Sequence, residues 1–160
     1  MCGVTGIARE SGPVAYELYA NLLKLTHRAH DTAGAVTSDH GETYLHRGMG
    51  EVANVFTKQK LESMKGSVGI GHVRWTTVGD MNLNNAHPLS GVFRGKNFYI
   101  GHNGQINNID ELERQFPEYH QDVTTDTKFI AALISFSGKD TFEEALQYAC
   151  SILKGTYSLV

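Results

Sequence analysis

The sequence predicts a layered α+β domain, and its segment order and composition support that fold class. Strand-like stretches such as VTGIA and SVGIGHVRW occur in groups, and pairs of helical stretches separate these groups. A parallel βαβ sheet would instead alternate single strands with single helices. A hydrophobic content of 41% and a charged content of 19% are typical of a globular protein. The 160 residues are therefore expected to form one domain with a sizeable core.

The first half of the chain is expected to contain a strand, a helix, a hairpin, a second helix and a buried strand. VTGIA has strand composition, and Pro13 suits the first turn of the helix that follows. The apolar residues of that helix recur at helical spacing: Val14, Leu18, Leu22 and Leu25. Residues 33–48 are typical of a hairpin with a polar turn at His40 and Gly41. Residues 54–64 predict a weaker helix, and SVGIGHVRW predicts the buried strand.

The second half begins with a long polar loop at 76–91, a length that is often functional. KNFYIGHNG predicts a strand that runs into an Asn-Gly turn. Helices are then expected at 108–116, 124–136 and 142–153. Two pairs have capping-box spacing before a helix: Asn108 with Glu111, and Thr141 with Glu144. TYSLV has strand composition, so the chain is either cut there or pairs that strand inside a sheet, because bare hydrophobic edges are avoided.

Composition excludes several classes of function. The net charge of −3 and the lack of a lysine/arginine run argue against binding to nucleic acid or to an anionic membrane. No apolar stretch reaches the roughly 18 residues of a membrane span, and the N-terminus does not resemble a signal peptide. Two cysteines fit a reducing cytoplasm, which is the expected location. The eight histidines are scattered, and His27 and His30 lack further ligands at zinc-site spacing, so neither a metal nor another cofactor is predicted.

Cys2 is either a small packing residue or a nucleophile. Removal of Met1 would give Cys2 a free α-amine, whose pKa of about 7.7–8.0 in peptides leaves part of it unprotonated at neutral pH. That amine could then serve as the general base for its own thiol. Gly3 would leave the backbone open to a substrate.

Four further residues carry groups that would suit a substrate of the thiol. Asn103 and Gly104 are either an ordinary turn or a pair of amide donors for an oxyanion. Arg74 ends a buried strand, where it either forms an internal ion pair or holds a carboxylate. Asp126 is either a helix-terminal residue or the receiver of an ammonium group. Together these groups match an amino acid with a side-chain amide, and glutamine fits that description.

With these residues in place, the sequence resembles the class II glutamine amidotransferase domain, an N-terminal-nucleophile hydrolase. The resemblance covers nearly the whole chain, because six motifs occur in family order: MCGVTGI, HRAHDTAG, GHVRWTTVG, NAHP, HNGQINN and TDT. It implies a four-layer αββα sandwich of two mainly antiparallel sheets between helix layers. RW-x-T and AHP look like the glucosamine-6-phosphate synthase branch, and CGVTGI and HR..D.AG look like the amidophosphoribosyltransferase branch.

The resemblance also implies roles for individual residues. The implied catalytic residues are Cys2 as nucleophile, with Asn103 and Gly104 as the oxyanion hole. The implied substrate-binding residues are Arg74 for the glutamine carboxylate, Asp126 for the amine, and Trp75, Thr77 and His87 as the pocket lining. Two positions depart from the family pattern, since Ala29 stands where glycine is usual and Lys128 where an acid is usual.

The expected function is hydrolysis of L-glutamine to glutamate and ammonia through a thioester on Cys2. Ammonia would pass to a synthetase or transferase outside residues 1–160, and those residues would form one glutaminase domain. Two alternatives stay open at this point. One is a stand-alone amidohydrolase of the same class that acts on another amide, and the other is a non-catalytic glutamine-sensing module.

Overall fold

The computed structural model describes residues 1–75, 82–120 and 125–160. Its strands are β1 (Gly3–Ala8), β2 (Thr32–Asp39), β3 (Glu42–Met49), β4 (Val68–Arg74), β5 (Leu89–Phe93), β6 (Lys96–Ile100), β7 (His102–Ile106) and β8 (Gly155–Leu159). Its helices are α1 (Ala15–Leu25), α2 (Val52–Val55), α3 (Lys58–Ser63), α4 (Ile109–Gln115), α5 (Asp126–Ser135) and α6 (Phe142–Ile152). Two short 3-10 turns cover Leu83–Asn85 and Pro117–His120.

The first half of the chain forms a four-stranded antiparallel sheet in the order β1-β4-β2-β3. Helix α1 packs on one face of it, with Leu18 and Leu22 fully buried. The glycines of β4 permit this close approach, because a side chain on Gly69 would come within 2.7 Å of Leu18 Cδ1. A hydrophobic cluster between this sheet and helices α1, α2 and α3 is the first core.

The second half of the chain forms the pairs β5-β6 and β7-β8, both antiparallel. Helices α5 and α6 cover them and contribute Phe129, Leu133 and Ala145 to a second, separate core. The two halves meet through their strands, where His72 Nε2 in β4 lies 2.8 Å from the His102 carbonyl oxygen in β7. The resulting order of layers is helix, four-stranded sheet, strand pairs, helix, which agrees with the predicted αββα sandwich; the second sheet layer consists of the two separate pairs β5-β6 and β7-β8.

Three expected elements have different boundaries in the structure. The predicted helix 54–64 is interrupted, because Thr57 is extended and its hydroxyl accepts the hydrogen bond that starts α3. The predicted polar loop ends three residues early, since Leu89 already pairs with Ile100. The predicted Asn-Gly turn is instead part of β7, in which Asn103 pairs with Ser158. In each case a tertiary contact or cap overrides the local preference.

The two expected capping boxes have different outcomes. Thr141 and Glu144 form both reciprocal bonds at the start of α6, as predicted. At α4 the prediction is wrong: Asn108 makes no side-chain cap, because its side-chain amide donates to the Ile152 carbonyl at the end of α6 and its side-chain oxygen accepts from the Lys154 N–H just before β8. Glu111 pairs with the Lys154 ammonium instead. Asn108 thus holds the connection between α6 and β8 rather than the start of α4.

TYSLV forms most of β8, which pairs along its length with β7. The main-chain bonds continue one residue further, where Val160 and Gly101 exchange N–H and C=O groups at 2.9 and 3.0 Å. In the part of the chain that the structure describes, no helix has both the length and the hydrophobicity needed to cross a lipid bilayer.

Candidate active site

Cys2 lies immediately before β1, and its backbone and side chain are both held in place. Its carbonyl accepts a hydrogen bond of 2.9 Å from Arg28 Nε, which belongs to the HRAHD segment. Its Sγ lies 3.7 Å from the Trp75 carbonyl oxygen, within reach of a weak S–H bond. Met1 is 78% exposed in front of it. The thiol is therefore fixed at the end of the first sheet, and the residue that blocks its amine is accessible from solvent.

Gly3 has a packing role, and the prediction that it opens the backbone to a substrate is wrong. The residue is buried, and a side chain there would lie 2.9 Å from Val73 Cγ2 and 3.1 Å from Leu25 Cβ. Glycine at this position lets α1 pack close to the start of β1. Substrate access to Cys2 must come from the opposite side, where the cavities are.

Two cavities meet at Cys2. A small one of about 30 Å³ is lined by Cys2, Arg74, Trp75, His87, His102, Gly104, Thr125, Asp126 and Thr127. A wider one of about 620 Å³ shares Cys2, Trp75, Gly104 and Asp126 with it and adds Asn103. The structure thus brings together every residue that the sequence assigned to the site, except Thr77, which lies outside the described residues.

β7 supplies the two groups assigned to an oxyanion. Bonded pairs alternate along an antiparallel ladder, and Gly101–Val160 and Asn107–Lys154 are bonded across this one. Counted along the register from these pairs, Asn103 and Ser158 form a hydrogen-bonded pair, whereas Gly104 and Tyr157 form a pair without main-chain hydrogen bonds between them. The Gly104 N–H therefore points away from β8. The donor pair comes from a strand rather than from the predicted turn.

Gly104 also cannot be replaced without displacing its neighbours. Its φ is +154°, a conformation that side chains disfavour. A Cβ there would collide with the Thr156 carbonyl oxygen and would lie 2.5 Å from the Tyr157 Cα. The strand therefore needs glycine at the position where its N–H is available.

Asp126 is the first residue of α5, and His102 lies beneath it. His102 Nδ1 is 3.5 Å from Asp126 Oδ2 and 3.0 Å from the Thr127 hydroxyl, while the Thr127 amide donates to Asp126 at 2.8 Å. Burial by itself raises the pKa of Asp126, but the hydrogen bond and charge of His102 and the bonds from Thr127 lower that pKa further than burial raises it. Asp126 is therefore a carboxylate at neutral pH, suited to receive a cation.

Two histidine rings stack behind the small cavity. The rings of His72 and His87 are 4.3 Å apart and nearly parallel, and both are buried. Burial is the main reason that the pKa of His72 is lowered to about 4 and that the pKa of His87 lies well below its usual value. Both rings are therefore neutral at pH 7. Sequence reasoning missed His72 and His102, although each stands inside a site motif, GHVRW and HNG.

We expect the stability of the protein to fall between pH 6.5 and pH 4 because of this stack. In that range an exposed histidine of the unfolded chain binds a proton that buried His72 does not, so acid favours unfolding. A shift from 6.5 to about 4 corresponds to about 3 kcal/mol. Urea titrations at several pH values should show a smaller acid-induced loss in His72→Asn than in the wild type. Parallel curves for the two proteins would contradict this assignment.

The sequence is similar to those of several known proteins. The family model for class II glutamine amidotransferases matches residues 47–134. The chain is 39% identical to the amidophosphoribosyltransferase of Methanothermobacter thermautotrophicus, over 99% of this chain and 35% of that protein. It is 36% identical to the glutamine–fructose-6-phosphate aminotransferase of Bartonella quintana, over 100% of this chain and 26% of that protein. It thus spans 35% of the length of the first relative and 26% of the length of the second.

A solved structure gives the same result at the level of the fold. Glutamine phosphoribosylpyrophosphate amidotransferase from B. subtilis, solved with ADP and GMP, superposes with a TM-score of 0.86 at 30% identity. The superposition covers 99% of this chain and 34% of that one.

Proposed function

This chain belongs to the class II glutamine amidotransferases, and on that premise we propose that residues 1–160 form a glutaminase domain whose catalytic residues are Cys2, Asn103 and Gly104. The observation that carries the proposal is the meeting of a thiol, an outward-pointing strand N–H, a buried arginine and a carboxylate around adjoining cavities. Each group came from a different motif of the sequence. Their common position at the two cavities supports the proposal, because no single motif contains all of them.

The proposed first step is attack of the Cys2 sulfur on the glutamine side-chain amide carbon. Once Met1 is removed, the Cys2 α-amine takes the thiol proton, and the carbon–sulfur bond forms as the carbonyl electrons move to oxygen. The Asn103 side-chain amide and the Gly104 N–H stabilise that oxyanion. The amine then returns the proton to the departing nitrogen, so ammonia leaves and a thioester remains. Water adds to the thioester carbonyl and releases glutamate and the thiol.

Substrate binding is assigned to charges on both sides of the thiol. Arg74 ends β4 and is 4% exposed, which suits bidentate binding of the glutamine α-carboxylate. Asp126 would bind the α-ammonium group, consistent with its lowered pKa. Trp75 and His87 line the small cavity beside them. Thr77 is assigned to the pocket from its place in the RW-x-T motif.

The ammonia is proposed to pass to a synthetase or transferase part that lies outside these residues. The relatives support this proposal, because their names describe transferases and this chain covers only 35% and 26% of their length. No binding site for a second substrate is needed within residues 1–160 under this proposal.

Retention of Met1 is expected to lower glutamine hydrolysis by about 100-fold or more, because the Cys2 nitrogen is then an amide and cannot act as a base. Intact mass spectrometry gives the processed fraction, and release of glutamate and ammonia gives the activity. Activity should rise in proportion to the fraction that begins with Cys2.

Other outcomes would point to the two alternative functions. A processed protein that leaves glutamine intact but cleaves other amides would be an amidohydrolase of different specificity. A processed protein that binds glutamine without turnover would be a sensing module. Either result would contradict the proposed function.

A further inference from the structure

The imidazole of His87 faces the small cavity without an anchor of its own. The residue is 4% exposed, and within residues 1–75, 82–120 and 125–160 neither ring nitrogen has a hydrogen-bond partner. Its ring stacks on the ring of His72. Within the described residues both ring nitrogens are buried and unpaired, so the position of the ring depends on how the backbone at His87 is held.

The backbone around His87 rests on β2 and β3. Arg47 Nη1 in β3 donates to the Ala86 carbonyl at 2.7 Å and has a longer contact of 3.5 Å with the Pro88 carbonyl. Between these two carbonyls, the His87 carbonyl packs directly over Gly34 in β2, where any side chain would collide with it. Gly34 and Arg47 are cross-strand partners. Three consecutive carbonyls are therefore fixed by one residue pair of the first sheet.

Within the described residues, the hydrogen bonds of the Arg47 guanidinium go to these main-chain carbonyls. Its pKa is lowered, mainly because the side chain is partly buried. Within the described portions of the chain no carboxylate lies within ion-pair distance of it. Removing a cation from water costs free energy unless hydrogen bonds offset that cost. For Arg47 the bonds to the Ala86 and Pro88 carbonyls provide this compensation. Arg47 itself does not line either cavity at Cys2.

We propose that Arg47 is a positioning residue for the glutamine site and that it acts through His87, by fixing the Ala86–Pro88 backbone so that the His87 ring stays against His72 at the cavity wall. This inference rests on the proposed function for its kinetic consequences, but not for its structural one. Sequence reasoning did not single out Arg47, because its partners are 39 and 41 residues further along the chain.

The kinetic test compares Arg47→Met and Arg47→Lys in the full-length protein from which Met1 has been removed. Arg47→Met should raise KM for glutamine about tenfold with kcat within about twofold, because His87 binds substrate before and during the reaction. Arg47→Lys, which keeps a cationic donor, should restore most of the affinity. Arg94→Met is the matched control, since Arg94 is an exposed arginine bonded to Asp140 at the far end of β5, and its KM should not change.

A double-mutant cycle separates action through His87 from a general loss of structure. If Arg47 acts through His87, either Arg47 variant combined with His87→Asn should have the KM of His87→Asn alone. A KM increase that persists in the His87→Asn background would overturn the proposal, as would a loss of kcat at unchanged KM. If Arg47→Met does not fold, the same cycle is run with Arg47→Gln, which removes the charge but keeps a polar side chain, and the KM of Arg47→Gln with His87→Asn is compared with that of His87→Asn alone.

A second measurement does not depend on turnover. The aromatic NMR signals of His87 carry the ring-current shift from His72, so Arg47→Met should move them, Arg47→Lys should move them less, and Arg94→Met should leave them in place. Unmoved His87 signals in Arg47→Met would overturn the positioning role. Moved signals in a protein that does not hydrolyse glutamine would instead support the positioning role and contradict the proposed function.

Discussion

Replacement of Cys2 by alanine is expected to reduce glutamine hydrolysis by about 10⁴-fold or more, because no other group at the site can form the thioester. The fold should be nearly unaffected. The Cys2 side chain is only half-buried, and its one polar contact with the described residues is the weak bond of 3.7 Å to the Trp75 carbonyl. We expect the free energy of unfolding to change by about 1 kcal/mol or less. Glutamate release and thermal unfolding measure the two effects separately.

Cys150 provides the matched control for this experiment. It is exposed on α6 and lines none of the cavities around Cys2. Cys150→Ala should keep the wild-type rate. If Cys2→Ala retained substantial activity, or if both variants lost it equally, the assignment of Cys2 as nucleophile would be wrong.

Replacement of Gly104 by alanine is expected to lower the rate of glutamine hydrolysis by about 10³-fold, the upper end of what one oxyanion donor contributes. The added Cβ would push β7 away from Thr156 and Tyr157, and this moves the Gly104 N–H away from the developing charge. The loss should appear mainly in kcat, because the oxyanion exists only along the reaction path.

Gly138→Ala separates this effect from the general cost of a side chain at positive φ. Gly138 has φ +69°, and nothing lies within 4 Å of the place where its Cβ would stand. Both variants carry backbone strain, but only Gly104→Ala changes the site. A Gly104→Ala protein with normal kcat and native circular dichroism would remove Gly104 from the mechanism.

Elements that depend on local signals were predictable from the sequence. The spacing of Val14, Leu18 and Leu22 predicted α1, and these three residues are fully buried against the first sheet. Pro13, however, lies before the helix rather than in its first turn. The hairpin about His40 and Gly41 is present as β2 and β3. In both cases the deciding interactions lie within a few residues along the chain.

Elements that depend on distant partners were not predictable from a local pattern. Asn103-Gly104 favours a turn in isolation, yet it is held straight by Ser158 and Tyr157, more than 50 residues later in the chain. Asn108 is a residue type that favours helix N-caps, but its side-chain oxygen accepts a hydrogen bond from the Lys154 N–H instead. Pairing with β8 thus overrode both local preferences at the strand that carries the site.

The same distinction applies to the site itself. Cys2, Arg74 and Asp126 could be assigned because each brings a reactive or charged group that a motif makes recognisable. Arg47 and His102 could not, because what they do depends on contacts between sheets and on the start of α5. Their residue types alone are equally compatible with an exposed strand or a buried core.

The candidate site is divided between the two halves of the molecule, each of which has its own hydrophobic core. The Cys2 thiol and Arg74 belong to the half around the first core, whereas Gly104 and Asp126 belong to the half around the second. The geometry of the site therefore depends on how the two halves are packed against each other. Under the proposed function, neither half holds both the attacking sulfur and the N–H that stabilises the oxyanion. A shift of one sheet over the other by about 1 Å would leave every helix and strand intact and still move the sulfur out of alignment with its substrate. The proposed glutaminase activity should therefore respond more strongly than stability to a partner that binds one face of this sandwich.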